Sequence, residues 1–279
     1  MSGVFAAIVA PHVPTLSRAE ITPGFQRTLV DAEQRLGETL REAKPDLWVI
    51  ASTHWVSTFN WLATCQPVHQ GICVASEAPD LIPGAPYRYR GDPEYAGALL
   101  ETWRAADIPA ARNDSPHYAW DYGTYVPLSH LDPKAEVAVV GVPAVLMADL
   151  DESRRAGAAI HDTARRLGRR AVFIASTALS HSLMRGRHHM PSFEHIALDE
   201  RLIGLMSAGK ITELIEWLPQ YSREAHAEMG GRVLATMLGC LEAMQHDGGA
   251  VACEMIGDYA QSSGSGNATL CATVAGGSA

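Results

Sequence analysis

Three apolar runs of this chain end on a histidine. AIVAPH closes on His12, VIASTH on His54 and IASTALSH on His181. An imidazole adds nothing to strand stability, but it ligates metals and, with an unperturbed pKa of about 6.5, carries protons near neutral pH. Two neutral imidazoles hold a hard divalent ion weakly. With one carboxylate they form the face that leaves open positions on non-haem Fe(II). Three acids downstream of His181 could complete it: Glu224 and Glu228 in YSREAHAEMGGRVLATMLGCL, and Glu254 in VACEMIGDY. Spacing alone leaves the choice open. An early helical glutamate also has a plain alternative reading, since a solvated acid is favoured at a helix N-terminus.

The elements that must carry these groups read as an alternation. VFAAIVA (4–10), DLWVIAST (46–53), AEVAVVGVPA (135–144) and RAVFIAST (170–177) are nearly continuous apolar runs, as expected of strands covered on both faces. Amphipathic stretches at helical period separate them: FQRTLVDAEQRLGETLREA, DPEYAGALLETWRAAD and DESRRAGAAIHDTARRLG. This predicts an α/β fold, a three-layer sandwich with a central mostly parallel sheet flanked by helices. Further helices are expected over 192–209 and 222–245, the latter with Ser222 as N-cap, Glu228 early in it, and an apolar stripe at Val233, Leu234, Met237, Leu238 and Leu241. GAVACEMIGDY and ATLCATVAG read as late strands, with SSGSGN (262–267) as the loop between them. No internal repeat or linker interrupts the chain, so a single domain over 1–279 is expected. In open α/β sheets ligands gather beyond the carboxyl ends of the strands, so three parallel strands would bring their histidines to one edge.

Composition narrows the partners. A formal net charge of −9 and a pI near 5.7 argue against a nucleic-acid backbone. The densest basic stretch, Arg185-Gly-Arg-His-His189, is short. No window approaches the ~20 apolar residues of a membrane span. The five cysteines form no CxxC and read as reduced, buried thiols. The N-terminus runs from MSG into an apolar strand without a basic leader, so a cytoplasmic protein is expected.

Taken together, PHVP, STHW, DYGTYVPL, LSH and EAHAE-MGG resemble the class III extradiol ring-cleaving dioxygenases, the superfamily of the protocatechuate 4,5-dioxygenase catalytic subunit. The resemblance runs from His12 to SSGSGN, and PYRYRGDPEYA (86–96) is most similar to the branch containing 2-aminophenol 1,6-dioxygenase catalytic subunits. It implies Fe(II) as cofactor, His12 and His54 as its histidine ligands, and Glu228 as its carboxylate. It also implies that His181 is the acid/base histidine. In DYGTYVPL many members carry a histidine where this chain has Tyr122. A tyrosine there can donate a hydrogen bond, but with a pKa of about 10 it is a poor proton shuttle at neutral pH.

The expected reaction is O2-dependent cleavage of a catechol or 2-aminophenol ring to a muconic semialdehyde-type product. A non-catalytic accessory subunit and a zinc hydrolase using the same face are the competing readings. The small aromatic substrate would be lined by His117, His188 and Tyr259. Each has an alternative: a turn for His117, a solvated loop for His188 with His189, and core packing for Tyr259. His226 reads as no more than a cap of the following helix, and His69, His130, His161, His195 and His246 read as structural or exposed. The resemblance also implies an oligomer, homomeric or with a related subunit.

Overall fold

A computed structural model describes residues 2–274. In chain order the strands and helices are β1 (Gly3–Ala10), α1 (Arg27–Glu42), β2 (Leu47–Ser57), β3 (Trp61–Thr64), β4 (Val68–Cys73), β5 (Ala85–Arg90), α2 (Pro93–Ala105), β6 (Ala110–Asn113), α3 (Tyr122–Leu131) and β7 (Ala138–Val145). They continue with α4 (Leu150–Arg166), β8 (Arg170–Ser176), α5 (Phe193–Ser207), α6 (Ile211–Glu224), α7 (Arg232–His246), β9 (Val251–Ser262) and β10 (Ser265–Val274).

The central sheet has the order β7-β2-β8-β1-β10-β9. The first four strands are parallel; β10 and β9 run antiparallel at one edge. Alternation along β1 explains the three layers. Ala7 and Val9 join one core with α2 and α4 to α7, while Ala6, Ile8 and Ala10 join another with α1, α3 and the β4–β5 hairpin. The predicted α/β sandwich is therefore the observed one. All five cysteines are buried free thiols. Among the described residues, no helix is long and apolar enough to cross a membrane.

Two local expectations are corrected. The helix expected over 222–245 is broken: Ser222 lies in the last turn of α6 rather than at an N-cap, and α7 begins only at Arg232. Between them the backbone enters the left-handed region at His226, Met229, Gly230 and Gly231. A Cβ at Gly231 would stand 2.2 Å from Ser222 Oγ, so the tight reversal requires glycine there. The stripe from Val233 to Leu241 is buried as expected. SSGSGN is also not a loop. Ser262 and Ser265 pair across β9 and β10, and the turn is only Ser263-Gly264, both with positive φ as a primed hairpin turn requires.

Candidate metal centre

Strand register explains why the three histidines meet. Ala10 of β1 and Ser52 of β2 both sit opposite Ser176 of β8, and His12 and His54 each follow two residues later. β2 does not continue regularly: Ser52 faces Pro143, and pairing with β7 resumes only at Val56 opposite Ala144. His54 lies in that irregular stretch, where a bulge re-aims a side chain. Ser52 fixes it there, accepting from the His54 amide at 3.1 Å and donating to Asp121 Oδ1 at 2.6 Å.

Glu228 reaches the same edge from the turn between α6 and α7. Its Oε2 accepts from the Ala178 amide at 2.7 Å and lies 3.3 Å from Thr177 Oγ1. Its Oε1 faces His12 Nε2 at 3.4 Å, His54 Nε2 at 3.5 Å and His181 Nε2 at 3.7 Å. Ligand atoms of His12, His54 and Glu228 all lie within 4.8 Å of one another, a spacing that could hold a metal ion. His181 stands outside that mutual set, beside it.

Hydrogen bonding determines which nitrogens are free. Ser176 Oγ donates its one proton to the Gly123 carbonyl, so at 3.0 Å it must accept from His12 Nδ1–H. His54 Nδ1 faces Glu77 Oε1 at 3.3 Å, again an acceptor. With Nδ1 engaged in each ring, Nε2 is the atom aimed at Glu228 Oε1 and the one left to ligate a metal ion that displaces its proton. This donor set fits a divalent ion. Burial alone would raise the Glu228 carboxyl, but the surrounding imidazoles, His12 foremost, hold it well below the usual carboxylate range. Burial lowers His54, yet Glu228, Asp121 and Glu77 outweigh it and raise its pKa. At His181 burial prevails over the pull of Glu228, and its pKa is lowered.

Tyr122 begins α3, which Asp121 caps by accepting from the Thr124 amide at 3.0 Å. Its ring lies 4.0 Å from that of His54 and 5.7 Å from that of His12. Burial, then the nearby carboxylates of Glu77, Glu228 and Asp121, push its hydroxyl pKa upward.

The described contacts of the remaining predicted site residues are with other groups. His117 is exposed, with its amide donating to Ser115 Oγ. His188 is exposed, its ring 5.2 Å from that of Phe25. The Tyr259 hydroxyl donates to Asp199 at 2.6 Å. His226 caps no helix; its Nδ1 is hydrogen-bonded with Ser182 Oγ at 2.7 Å. Sequence reasoning missed Ser176, Glu77, Asp121 and Ser52. Only Asp121 carried a local signal, an Asp three residues before Thr124 at the head of an apolar helix.

The fold and this two-histidine, one-carboxylate group define an α/β protein with a metal-capable edge. The family described as the catalytic LigB subunit of aromatic ring-opening dioxygenase matches residues 6–268, and the chain belongs to it. It is 24% identical over 247 residues to the 3,4-dihydroxyphenylacetate 2,3-dioxygenase of Escherichia coli, covering 85% of this chain and 90% of that one. To the beta subunit of 2-aminophenol 1,6-dioxygenase from Pseudomonas sp. it is 28% identical, covering 81% of each chain. To the alpha subunit it is 29% identical, covering 76% of this chain and 80% of that one. The crystal structure of an uncharacterized Escherichia coli K12 protein shares the fold, with a TM-score of 0.67, 14% identity, and coverage of 96% of this chain and 99% of that one.

Proposed function

We propose that this chain is a non-haem Fe(II)-dependent extradiol dioxygenase that opens the ring of a catechol or 2-aminophenol with O2, giving a muconic semialdehyde-type product. The carrying observation is the convergence of His12 Nε2, His54 Nε2 and Glu228 Oε1, with the other imidazole nitrogens tied back to Ser176 and Glu77. Those three atoms would hold Fe(II), which when bound supplies the redox chemistry that lets dioxygen react with an aromatic ring.

The chain's own groups do the rest. His181, neutral at physiological pH because burial lowers its pKa, takes a proton from the substrate's ring hydroxyl and later returns one. Tyr122 keeps its proton and donates a hydrogen bond to the bound reactants. The family's subunit-named relatives support assembly as an oligomer, homomeric or with a related chain.

Anaerobic Fe(II) loading followed by oxygen-electrode assays with catechol, 3,4-dihydroxyphenylacetate and 2-aminophenol tests the reading. Stoichiometric oxygen uptake with a yellow product is expected. Tight zinc with hydrolysis and no oxygen uptake would replace it with the hydrolase, and no retained metal with the accessory subunit. His181→Ala should keep its iron and lose most turnover; an unchanged rate removes the acid/base role.

A further inference from the structure

Asp199 lies on α5, fully buried, and plays no part in the metal face. An unpaired carboxylate is costly to bury, so the fold must answer it with donors. Four converge. Oδ1 accepts from the Ser180 amide at 3.0 Å and the Tyr221 hydroxyl at 2.7 Å. Oδ2 accepts from the Ser180 hydroxyl at 2.7 Å and the Tyr259 hydroxyl at 2.6 Å. Half of the donors thus belong to one residue, the immediate neighbour of His181.

The same short segment is bound on its other sides. The Leu179 amide donates to the Gly266 carbonyl and the Gly266 amide to the Ser180 carbonyl, each at 2.9 Å. The His181 amide donates to the Ala225 carbonyl at 3.3 Å. A Cβ at Gly266 would stand 2.1 Å from Asp199 Oδ2 and 2.0 Å from the Tyr259 hydroxyl, so the network closes directly over β10. Asp199's hydrogen bonds reach Ser180, Tyr221 and Tyr259, and none reaches His12, His54 or Glu228. The network therefore attaches directly to the neighbour of His181 and to none of the three ligands of the metal face.

We infer that Asp199 is a positioning residue for the His181 imidazole, acting through Ser180, with Tyr221 and Tyr259 holding the carboxylate in the required orientation. The inference rests on the reading of His181 as the acid/base group. Tyr259 accordingly serves the site through its hydroxyl, which donates to Asp199.

The test uses the full chain, in two readouts. In metal-free protein, the ring resonances of His181 are followed by 1H–15N correlation and identified by their loss in His181→Ala. Asp199→Ala should move or broaden the His181 signals and leave those of His12 and His54 in place. In the iron-loaded protein, Asp199→Ala should retain full metal and lose kcat by about 10–100-fold, the usual cost of removing a group that orients a site residue, with KM little changed. Asp199→Asn should recover most of that loss, because the amide keeps one acceptor oxygen and the hydroxyls can turn to meet its NH2.

In the His181→Ala background, Asp199→Ala should add no further loss of kcat, since its effect passes through the missing ring. An unmoved His181 resonance overturns the inference. So does an equal fractional loss in both backgrounds, which would mark Asp199 as general scaffolding. If Asp199→Ala does not fold, Tyr259→Phe carries the same two readouts at the cost of a single hydroxyl. Full turnover in His181→Ala would instead defeat the acid/base reading itself, and this inference with it.

Discussion

Tyr122 is caught between two requirements: its ring packs on His54, and its hydroxyl sits among carboxylates. Because burial and those charges raise its pKa above the ordinary value of about 10, the group stays an O–H throughout the pH range of an assay. Tyr122→Phe should therefore keep its metal, lose kcat by about tenfold, the worth of one good hydrogen bond, and leave the alkaline limb of the pH profile unmoved. A limb that disappears would show that the tyrosine ionises during turnover. The tethers behind the ligands make a second test. Ser176→Ala and Glu77→Gln should each weaken metal binding about 10–100-fold, measured by competition with a chromophoric chelator. Ser176→Ala should cost more, because Ser176 is buried whereas the Glu77 side chain is 57% exposed. Glu228→Ala should abolish metal retention and Glu254→Ala should not, since Glu254 is an exposed position of β9. The histidines were legible because each closes an apolar run of the sequence, AIVAPH, VIASTH and IASTALSH, and strand stability asks for no imidazole there. Ser176 and Glu77 were not, because their partners are distant in the chain and nothing local marks them.

At the level of elements, the turn from α6 into α7 separates what periodicity can tell from what it cannot. The apolar stripe of α7 announced a helix, but its start depends on left-handed residues that a hydrophobic period does not register. Glu228 sits in that turn, so backbone strain and ligand position are linked. Gly231→Ala should destabilise the chain by about 1–2 kcal/mol through its positive φ and reduce metal affinity as well, read by chemical denaturation and metal titration on one sample. α1 offers a pH test. Glu33 faces inward, fully buried, with neither carboxylate oxygen hydrogen-bonded among the described residues, and burial raises its pKa well above the ordinary value. An acid with a raised folded pKa binds its proton more tightly folded than unfolded. Its contribution to stability is therefore lost as pH climbs from the unfolded value of about 4.3 towards the folded one. Glu33→Gln should raise Tm by a few degrees at pH 8 and by less at pH 5, as calorimetry would show. An equal gain at both would mean the carboxyl is not protonated in the fold.

On the scale of the whole molecule, the four chemistry-bearing residues come from four separated segments that meet only when β1, β2 and β8 are aligned and α6 has turned back onto them. An ion bound there binds the folded chain alone, so Tm should rise with added Fe(II) or another divalent probe and return on chelation. The alternation of apolar runs made the parallel sheet readable, whereas the two small sheets, β3 with β6 and β4 with β5, carried no such continuous run and were not foreseen. The stretch Ser176–His181 meets nearly every part of the site: Ser176 holds His12 and Gly123, the Ala178 amide holds Glu228, and Ser180 meets Asp199. Those six residues thus work as a ruler with fixed graduations. Lengthening or shortening them by one would put every attachment out of step at once, while the exposed loop that follows has no comparable count to keep.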